Sequence, residues 1–393
     1  TRTVRRPLAD NAVFSGESAV SNSAGLYIDL PFCIARCAFC AFHVEGFRSR
    51  WAEKYIRALH KEIEYYAALP ELAEYSIPTL YLGGGTPSLY DVTVLTDLIS
   101  RCRELFQVTP DAEITLEAHP ATLNAKNLSR LLKGGVNRLS MGIQSFSDHD
   151  LKRLGRHHTV DQAKTAFHAA RSAGFENIAI DLIFGLPEQR IRDWEETLEE
   201  ALSLAPEHLS IYALSIEEGT LFAKKTREGK LALPSESETL SYYETARSVL
   251  SAAGYAQYEI SNFAKPGYAC RHNLLYWDQQ ETLGFGLAAH AYFKGERRAN
   301  IEAIPAYIDA VAAGKRPLAS VEKVRADKAL IDKIIFGLRK TEGIPFEWIT
   351  TDPVLKKTTH SLIQHGWLQK TANRIQLTSA GLSVADEVAI AYL

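Results

Sequence analysis

Short β-rich runs that alternate with longer amphipathic stretches predict an α/β fold for this chain. Six such runs occur, at residues 26–30, 78–82, 113–117, 138–143, 177–184 and 208–214. Helical periodicity between them is clearest at residues 50–68, 161–173 and 193–203. This alternation builds right-handed βαβ units around a parallel sheet. Because six units are two short of a complete (β/α)8 barrel, an open (β/α)6 partial TIM barrel is the simplest interpretation. A doubly wound sheet is the alternative.

Changes of pattern along the chain predict four segments. Residues 1–25 lack periodicity and are interpreted as a flexible N-terminal extension, and residues 26–225 form the partial barrel. Residues 226–320 are a connecting or lid region. Residues 321–393 are an α+β C-terminal domain with a winged-helix-like end, in which helices precede a short hairpin. Winged helices often bind DNA, but the charge of this one is unremarkable, so a structural or lid role is favoured.

Composition excludes several classes of protein. The 393 residues include 44 Lys and Arg against 47 Asp and Glu, which gives a net charge of −3. This near balance excludes the electrostatic footprint of a non-specific nucleic-acid binder. No apolar run approaches the ~18 residues of a membrane span, so no membrane association is predicted. An N-terminal region with basic residues but no apolar stretch after them is not a secretory signal, and a cytoplasmic protein is expected.

The cysteines indicate a metal cluster. Of only five, Cys33, Cys37 and Cys40 form a C-x3-C-x2-C array directly after the first predicted strand. Three thiolates can hold three irons of a 4Fe–4S cluster and leave the fourth iron open to a small molecule. The alternative is a zinc site, for which His43 would supply the fourth ligand.

Polar or glycine-rich residues follow the predicted strands at the end where parallel strands place their active face. They are Gly83, Gly84, Gly85 and Thr86 after the second strand, Glu117, Gln144 and Asp181 at the next three, and Tyr212 with Ala213 at the sixth. The glycines free the backbone to approach a ligand closely, although an ordinary tight turn is the alternative.

These features resemble those of the radical S-adenosyl-L-methionine (radical SAM) enzymes. Longer motifs resemble the oxygen-independent coproporphyrinogen III oxidase-like (HemN/HemW-like) family more narrowly. They are EAHP at 117–120, RLSMGIQSF at 138–146, LGR at 154–156, DLIFGLP at 181–187 and HNLLYW at 272–277. The last is similar to the HNxxYW haem-binding motif of the chaperones in that family.

The resemblance implies a 4Fe–4S cluster on Cys33, Cys37 and Cys40, with SAM bound at its open iron. Reduction of the cluster by a partner such as flavodoxin or ferredoxin would cleave SAM to a 5′-deoxyadenosyl radical. The residues implied for the first SAM are Tyr27, Phe39, Gly84 and Glu117. Those implied for a second SAM are Gly85, Thr86, Gln144, Arg156, Asp181 and Ala213.

Departures from the family pattern favour a paralogue with different chemistry. Asp29 replaces a histidine, Ala41 an aspartate, His119 an asparagine, and Ala288 the glycine before Ala-His290. The main hypothesis is therefore a class C methylase or cyclopropanase that takes carbon from a second SAM. Its substrate would be a peptide or other small molecule. Asp29, His119 and His290 are candidate catalytic residues, although satisfied polar groups would show the same pattern.

Two alternatives stay open. The first is a haem chaperone in which His272 ligates the iron. The competing interpretation of HNLLYW is a packed segment with His272 hydrogen-bonded inside. The second is coproporphyrinogen III oxidation, which is disfavoured because no further cysteine follows soon after Cys40. The substrate and the oligomeric state are not predicted.

Overall fold

A computed structural model describes residues 22–47, 49–350 and 352–393. Most of the extension predicted at residues 1–25 lies outside these ranges. Its last residues join the sheet, because the Ser76 amide donates to the Asn22 carbonyl at 2.9 Å and the Ala24 amide donates to the Ser76 carbonyl at 3.1 Å.

The strands and helices of the described residues alternate through the first half of the chain. The strands are β1 (Gly25–Leu30), β2 (Phe32–Cys33), β3 (Glu45–Gly46), β4 (Ser76–Gly84), β5 (Gln107–Ala118), β6 (Arg138–Gln144), β7 (Ile178–Phe184), β8 (His208–Ala213), β9 (Ala256–Gln257), β10 (Asn262–Ala264), β11 (Thr282–Phe285), β12 (His290–Phe293), β13 (Glu296–Asn300), β14 (Leu318–Lys323), β15 (Ile344–Pro345), β16 (Leu368–Thr371) and β17 (Arg374–Leu377). The α-helices are α1 (Ser49–Ala67), α2 (Val92–Leu105), α3 (Ala125–Lys133), α4 (Asp148–Leu154), α5 (Val160–Ala173), α6 (Ile191–Ser203), α7 (Leu221–Arg227), α8 (Glu236–Ala252), α9 (Arg271–Trp277), α10 (Ile304–Ala312), α11 (Ala326–Leu338), α12 (Glu347–Thr350), α13 (Pro353–Gln364), α14 (Ser379–Ser383) and α15 (Ala385–Ile390).

The main sheet has the strand order β14-β13-β12-β11-β1-β4-β5-β6-β7-β8-β10-β9. The six predicted strands are β1 and β4 to β8, which pair in parallel and follow one another in chain order. A doubly wound sheet would reverse direction part-way through this series, so that alternative is wrong. The predicted partial barrel is confirmed.

Residues 226–320 extend this sheet at both edges. Strands β10 and β9 continue antiparallel beyond β8, whereas β11 pairs in parallel with β1 and leads to antiparallel β12, β13 and β14. Helix α9 covers the amino end of β1. A Cβ on Gly25 would lie 2.6 Å from Leu275 Cδ1 and 3.1 Å from His272 Cε1, so the helix packs closely on this glycine.

The C-terminal domain combines α11 to α15 with a three-stranded sheet in the order β15-β17-β16. It packs on α9 through Trp277, whose ring stacks on Phe336 at 6.3 Å and lies 4.8 Å from the Arg339 guanidinium. The predicted α+β C-terminal domain is thus present, and its helices precede the hairpin of β16 and β17.

Among the described residues, no helix combines the length and the apolar character needed to cross a bilayer.

Trp194 joins α6 to α8 in the core beneath the sheet. Its side chain is fully buried, and its Nε1 donates to the Tyr242 carbonyl at 2.9 Å. We expect Trp194→Phe to destabilise the fold by about 2 kcal/mol, because it removes a buried hydrogen bond and creates a small void. Thermal unfolding measures the loss. The control is Trp51→Phe on the partly buried α1 residue, and equal losses in the two variants would contradict the assignment.

Candidate functional site

The carboxyl ends of the parallel strands surround a cavity of about 650 Å³. Most residues predicted for the cluster and for SAM line it. They are Cys33, Cys37, Cys40, Phe39, Gly84, Gly85, Thr86, Glu117, Gln144, Arg156, Asp181 and Ala213. The predicted strand ends therefore converge on one site, as expected for a parallel sheet.

The cysteine loop is held across the mouth of this cavity by backbone hydrogen bonds. Parallel pairing of β2 with β3 closes the loop, with the Glu45 amide donating to the Pro31 carbonyl at 2.8 Å. In the middle of the loop, the Ala38 amide donates to the Leu154 carbonyl at 2.9 Å, and the Ala38 carbonyl accepts from the Phe222 amide at 3.0 Å. The loop is thus tied to its own base, to the end of α4 and to the start of α7.

The donor set of this loop fits a 4Fe–4S cluster. Burial raises the pKa of the Cys33 and Cys40 thiols, and hydrogen-bonding partners oppose that rise. Cys33 Sγ lies 3.3 Å from the Thr86 hydroxyl, and Arg156 Nη1 donates to Cys37 Sγ at 3.5 Å. Such contacts stabilise the thiolates that bind iron. In the described ranges no three His, Cys, Asp or Glu side chains are gathered at metal-binding distance.

The zinc alternative lacks its fourth ligand in this arrangement. His43 follows the cysteine array, but its Nε2 lies 3.0 Å from a Glu302 carboxylate oxygen, and both side chains are exposed. A structural zinc site needs four ligands.

Glu117 is fixed at the base of the glycine-rich loop. One of its carboxylate oxygens accepts from the Gly84 amide at 3.1 Å and the other from the Tyr81 hydroxyl at 2.8 Å. Burial raises the pKa of Glu117 to about 7, and the nearby Asp181 adds to the rise while Arg138 opposes it. The carboxyl therefore changes protonation near neutral pH inside the cavity.

Gln144 and Arg156 shape the opposite wall. Gln144 has a φ of 75°, a left-handed conformation that is uncommon for a residue other than glycine, at a shift in register between β6 and β7. Arg156 donates to the Gly142 carbonyl beside it. Such strained backbone at a strand end is typical of binding sites.

Four predicted residues lie outside the cavity lining. Tyr27 stacks on Tyr81 with ring centroids 5.9 Å apart, and its hydroxyl donates to Asp29 at 3.4 Å. His290 is exposed on β12, and His272 is buried on α9. His119, in contrast, does line the cavity.

Sequence analysis missed several polar residues of the cavity. They are Tyr81, Arg138, Ser140, Ser210 and Asn273. Two of them, Arg138 and Ser140, could have been found from the two-residue period of strand β6. That period places Arg138, Ser140, Gly142 and Gln144 on one face.

Comparisons with known proteins agree with this architecture. A family model of the Radical SAM superfamily matches residues 27–201. Over 374 residues the chain is 34% identical to "Heme chaperone HemW" of Bacillus subtilis (strain 168), and the match covers 93% of this chain and 98% of that protein. The protein of the same name in Escherichia coli (strain K12) is 38% identical over 266 residues, 67% of this chain and 69% of that one.

A solved structure shows the same fold. Coproporphyrinogen III oxidase (HemN) from Escherichia coli aligns with a TM-score of 0.82 and 24% identity, over 95% of this chain and 90% of that chain. The cysteine loop, the glycine-rich loop and this fold define a radical SAM protein, a class that implies a 4Fe–4S cluster and SAM. The chain belongs to the HemN/HemW-like family of that superfamily.

The hypothesis of a methylase or cyclopropanase paralogue is wrong, since the curated relatives that match nearly the whole chain are heme chaperones. Three of the four departures that suggested it have local structural explanations, and nothing in the structure explains Ala41. Asp29 packs behind Gly84, with its pKa held well above the usual range by burial, and accepts a hydrogen bond from Tyr27. His119 caps a short turn by accepting from the Ala121 amide at 3.2 Å. Ala288 keeps a positive φ of 54° at the position of the usual glycine.

Gly85 couples the glycine-rich loop to the cysteine loop. Its amide donates to the Leu30 carbonyl at 3.0 Å, and an added Cβ would lie 2.7 Å from the Pro31 carbonyl carbon and 2.8 Å from the Phe32 oxygen. Because these are backbone atoms, Gly85→Ala must shift the cysteine loop, and we expect it to lower the iron bound per chain after anaerobic reconstitution. The control is Gly46→Ala, where a Cβ meets no atom within 4 Å. Equal iron in the two variants would contradict this coupling.

Glu117 predicts a pH-dependent affinity for SAM. A carboxyl with a pKa of about 7 is mostly ionised one unit above that value and mostly protonated one unit below it. Because the ionised form attracts the positively charged SAM, the dissociation constant should rise ~10-fold per pH unit well below the pKa. Anaerobic calorimetric titration measures this, with Glu117→Gln expected to bind weakly at every pH. Exposed Glu347→Gln is the control, and a pH-independent affinity in the unmodified chain would refute the role.

Proposed function

We propose that this chain is a haem chaperone of the HemW type, which binds haem beside its radical SAM site and passes it to a recipient protein. The main observation that supports this proposal is the near-complete match to "Heme chaperone HemW" of Bacillus subtilis. The protein of that name in Mycobacterium tuberculosis (strain ATCC 25618 / H37Rv) supports it at 33% identity over 367 residues, 93% of each chain. The match spans the barrel and the C-terminal domain, so it includes the HNLLYW segment.

The position of His272 supports the proposal. The residue is 1% exposed on α9, its ring stacks under Tyr81 at 5.1 Å, and the next residue, Asn273, lines the cavity. Burial lowers the pKa of His272 to about 3, and the nearby Arg138 adds to the effect. His272 is therefore neutral at physiological pH, which is the form of imidazole that ligates iron.

In the resting arrangement both ring nitrogens of His272 have partners. Nδ1 lies 2.8 Å from the Thr79 hydroxyl and Nε2 lies 3.0 Å from the Tyr276 hydroxyl. One of these contacts must open before iron can be ligated. The Tyr276 contact is the longer one and lies within α9, so we assign it as the contact that opens.

The cavity residues supply the radical SAM half of the proposal. Cys33, Cys37 and Cys40 would hold the cluster, and Gly84 and Glu117 would hold SAM. A reduced cluster, when bound, supplies the electron that cleaves SAM. The apolar walls of the cavity limit the access of water to this chemistry. A second SAM, a flavodoxin or ferredoxin reductant and a cytoplasmic location stay predictions.

A pair of variants tests the role of His272. We expect His272→Ala to weaken haem binding at least ~10-fold, because the axial ligand is lost. Tyr276→Phe should raise the affinity for haem or the rate of haem binding, since Nε2 of His272 is released while the imidazole stays in place. Haem titration followed by absorbance, and transfer to an apo-haemoprotein, measure these effects. Exposed His360→Ala on α13 is the control.

The outcomes separate ligation from packing. If His272→Ala unfolds the chain, the Tyr276→Phe result still decides, because that variant keeps the buried ring. No haem capture by the unmodified chain, or tight capture by a folded His272→Ala variant, would overturn the proposal.

A further inference from the structure

Arg138 is a buried guanidinium in which two nitrogen atoms have no hydrogen-bond partner among the described residues. It lies on β6 and lines the cavity, yet its residue is only 2% exposed. Its Nε and Nη1 are buried without a hydrogen bond, and no carboxylate oxygen of the described residues lies within ion-pair distance of the side chain. Because an arginine does not deprotonate in a protein, burial cannot be relieved by loss of the charge.

The carboxylates around Arg138 are engaged with other donors. Glu113 accepts from the Arg271 and His272 amides at 3.0 and 3.1 Å. Glu117 accepts from Tyr81 and Gly84, as described above. Asp181 accepts from the Ser140 hydroxyl at 3.3 Å. Glu113 favours the charged form of Arg138 but does not accept a hydrogen bond from it. Buried N–H donors that face a cavity without an acceptor indicate an acceptor group on the ligand, for which a carboxylate suits a guanidinium.

The depth of Arg138 separates it from the place expected for SAM. Strand pairing sets Glu117 beside Ser140 and Thr115 beside Arg138. Arg138 therefore begins two residues, or roughly 6.6 Å, below the level of Glu117. The methionine end of SAM is expected at the iron beside the cysteine loop. The backbone of Arg138 thus lies below the residues that would hold SAM, and we assign the group that meets Arg138 to a second ligand.

The residues at the mouth of the cavity indicate the chemical character of the rest of that ligand. Ile34, Phe42 and Tyr212 line it with 62%, 72% and 42% of their surface exposed. Exposed apolar side chains around a cavity mark a surface for an apolar ligand. A molecule with a large apolar body and a carboxylate would match both the apolar mouth of the cavity and Arg138 below it.

We propose that Arg138 is the binding residue for a carboxylate of the cargo, a haem propionate. This assignment rests on the proposed function. The planar guanidinium presents two parallel N–H donors, a geometry that matches the two oxygens of a carboxylate. The HNLLYW segment reaches the same cavity, since Asn273 lines it together with Arg138.

Haem and its dimethyl ester, in which both propionates are esterified, test the assignment. We expect Arg138→Gln to weaken haem binding by ~30-fold or more, as for loss of one partner of a buried charge pair. The ester should bind the unmodified chain more weakly than haem does, by a similar factor. Arg138→Gln should weaken ester binding no further. Arg138→Lys keeps the charge, so its affinity for haem should lie between those of the unmodified chain and Arg138→Gln. The unliganded Arg138→Gln variant should unfold at a temperature equal to or above that of the unmodified chain.

Each other outcome overturns the assignment. Equal weakening of haem and ester by Arg138→Gln means that the residue acts on the fold, and a loss of SAM binding with haem binding unchanged assigns Arg138 to the carboxylate of SAM. If Arg138→Gln does not fold, the comparison of haem with ester in the unmodified chain decides. Failure of the unmodified chain to bind haem overturns the proposed function, whereas haem binding that Arg138→Gln leaves unchanged overturns this assignment alone.

Discussion

The site depends on one constraint, the attachment of the cysteine loop to the barrel at several separate points. Pairing of β2 with β3 closes the loop, Ala38 ties its middle to α4 and α7, and Gly85 lies against the backbone at its base. These contacts are between backbone atoms, so they fix the path of the loop whatever its side chains are.

Much of the barrel and its rim could be predicted from the sequence. Strand periodicity located β1 and β4 to β8, and the order of the strand ends placed Glu117, Gln144 and Asp181 at one edge. The edge strands β9 to β14 could not be predicted, because they are only two to six residues long and show little periodicity. Arg138 was missed as a site residue although the period of β6 points to its face, because its burial arises only when β6 pairs with β5 and β7.

The error over chemistry has a physical origin. A substitution near a cofactor was taken to change the reaction, but position along the chain does not determine which way a side chain faces. Asp29 and His290 lie outside the cavity, whereas His119 lines its edge and serves as a turn cap. The family relationship rests on the whole chain and is insensitive to such local exchanges.

Helix α9 joins the two halves of the molecule. One of its faces closes the amino end of the barrel through His272, and Trp277 carries the ring contacts with Phe336 and Arg339 of the C-terminal domain. Excision of residues 321–393 would therefore strip an aromatic anchor from the segment that includes HNLLYW. The floor of the barrel and the seat of the C-terminal domain are the same seven residues, so the barrel is not structurally independent of that domain.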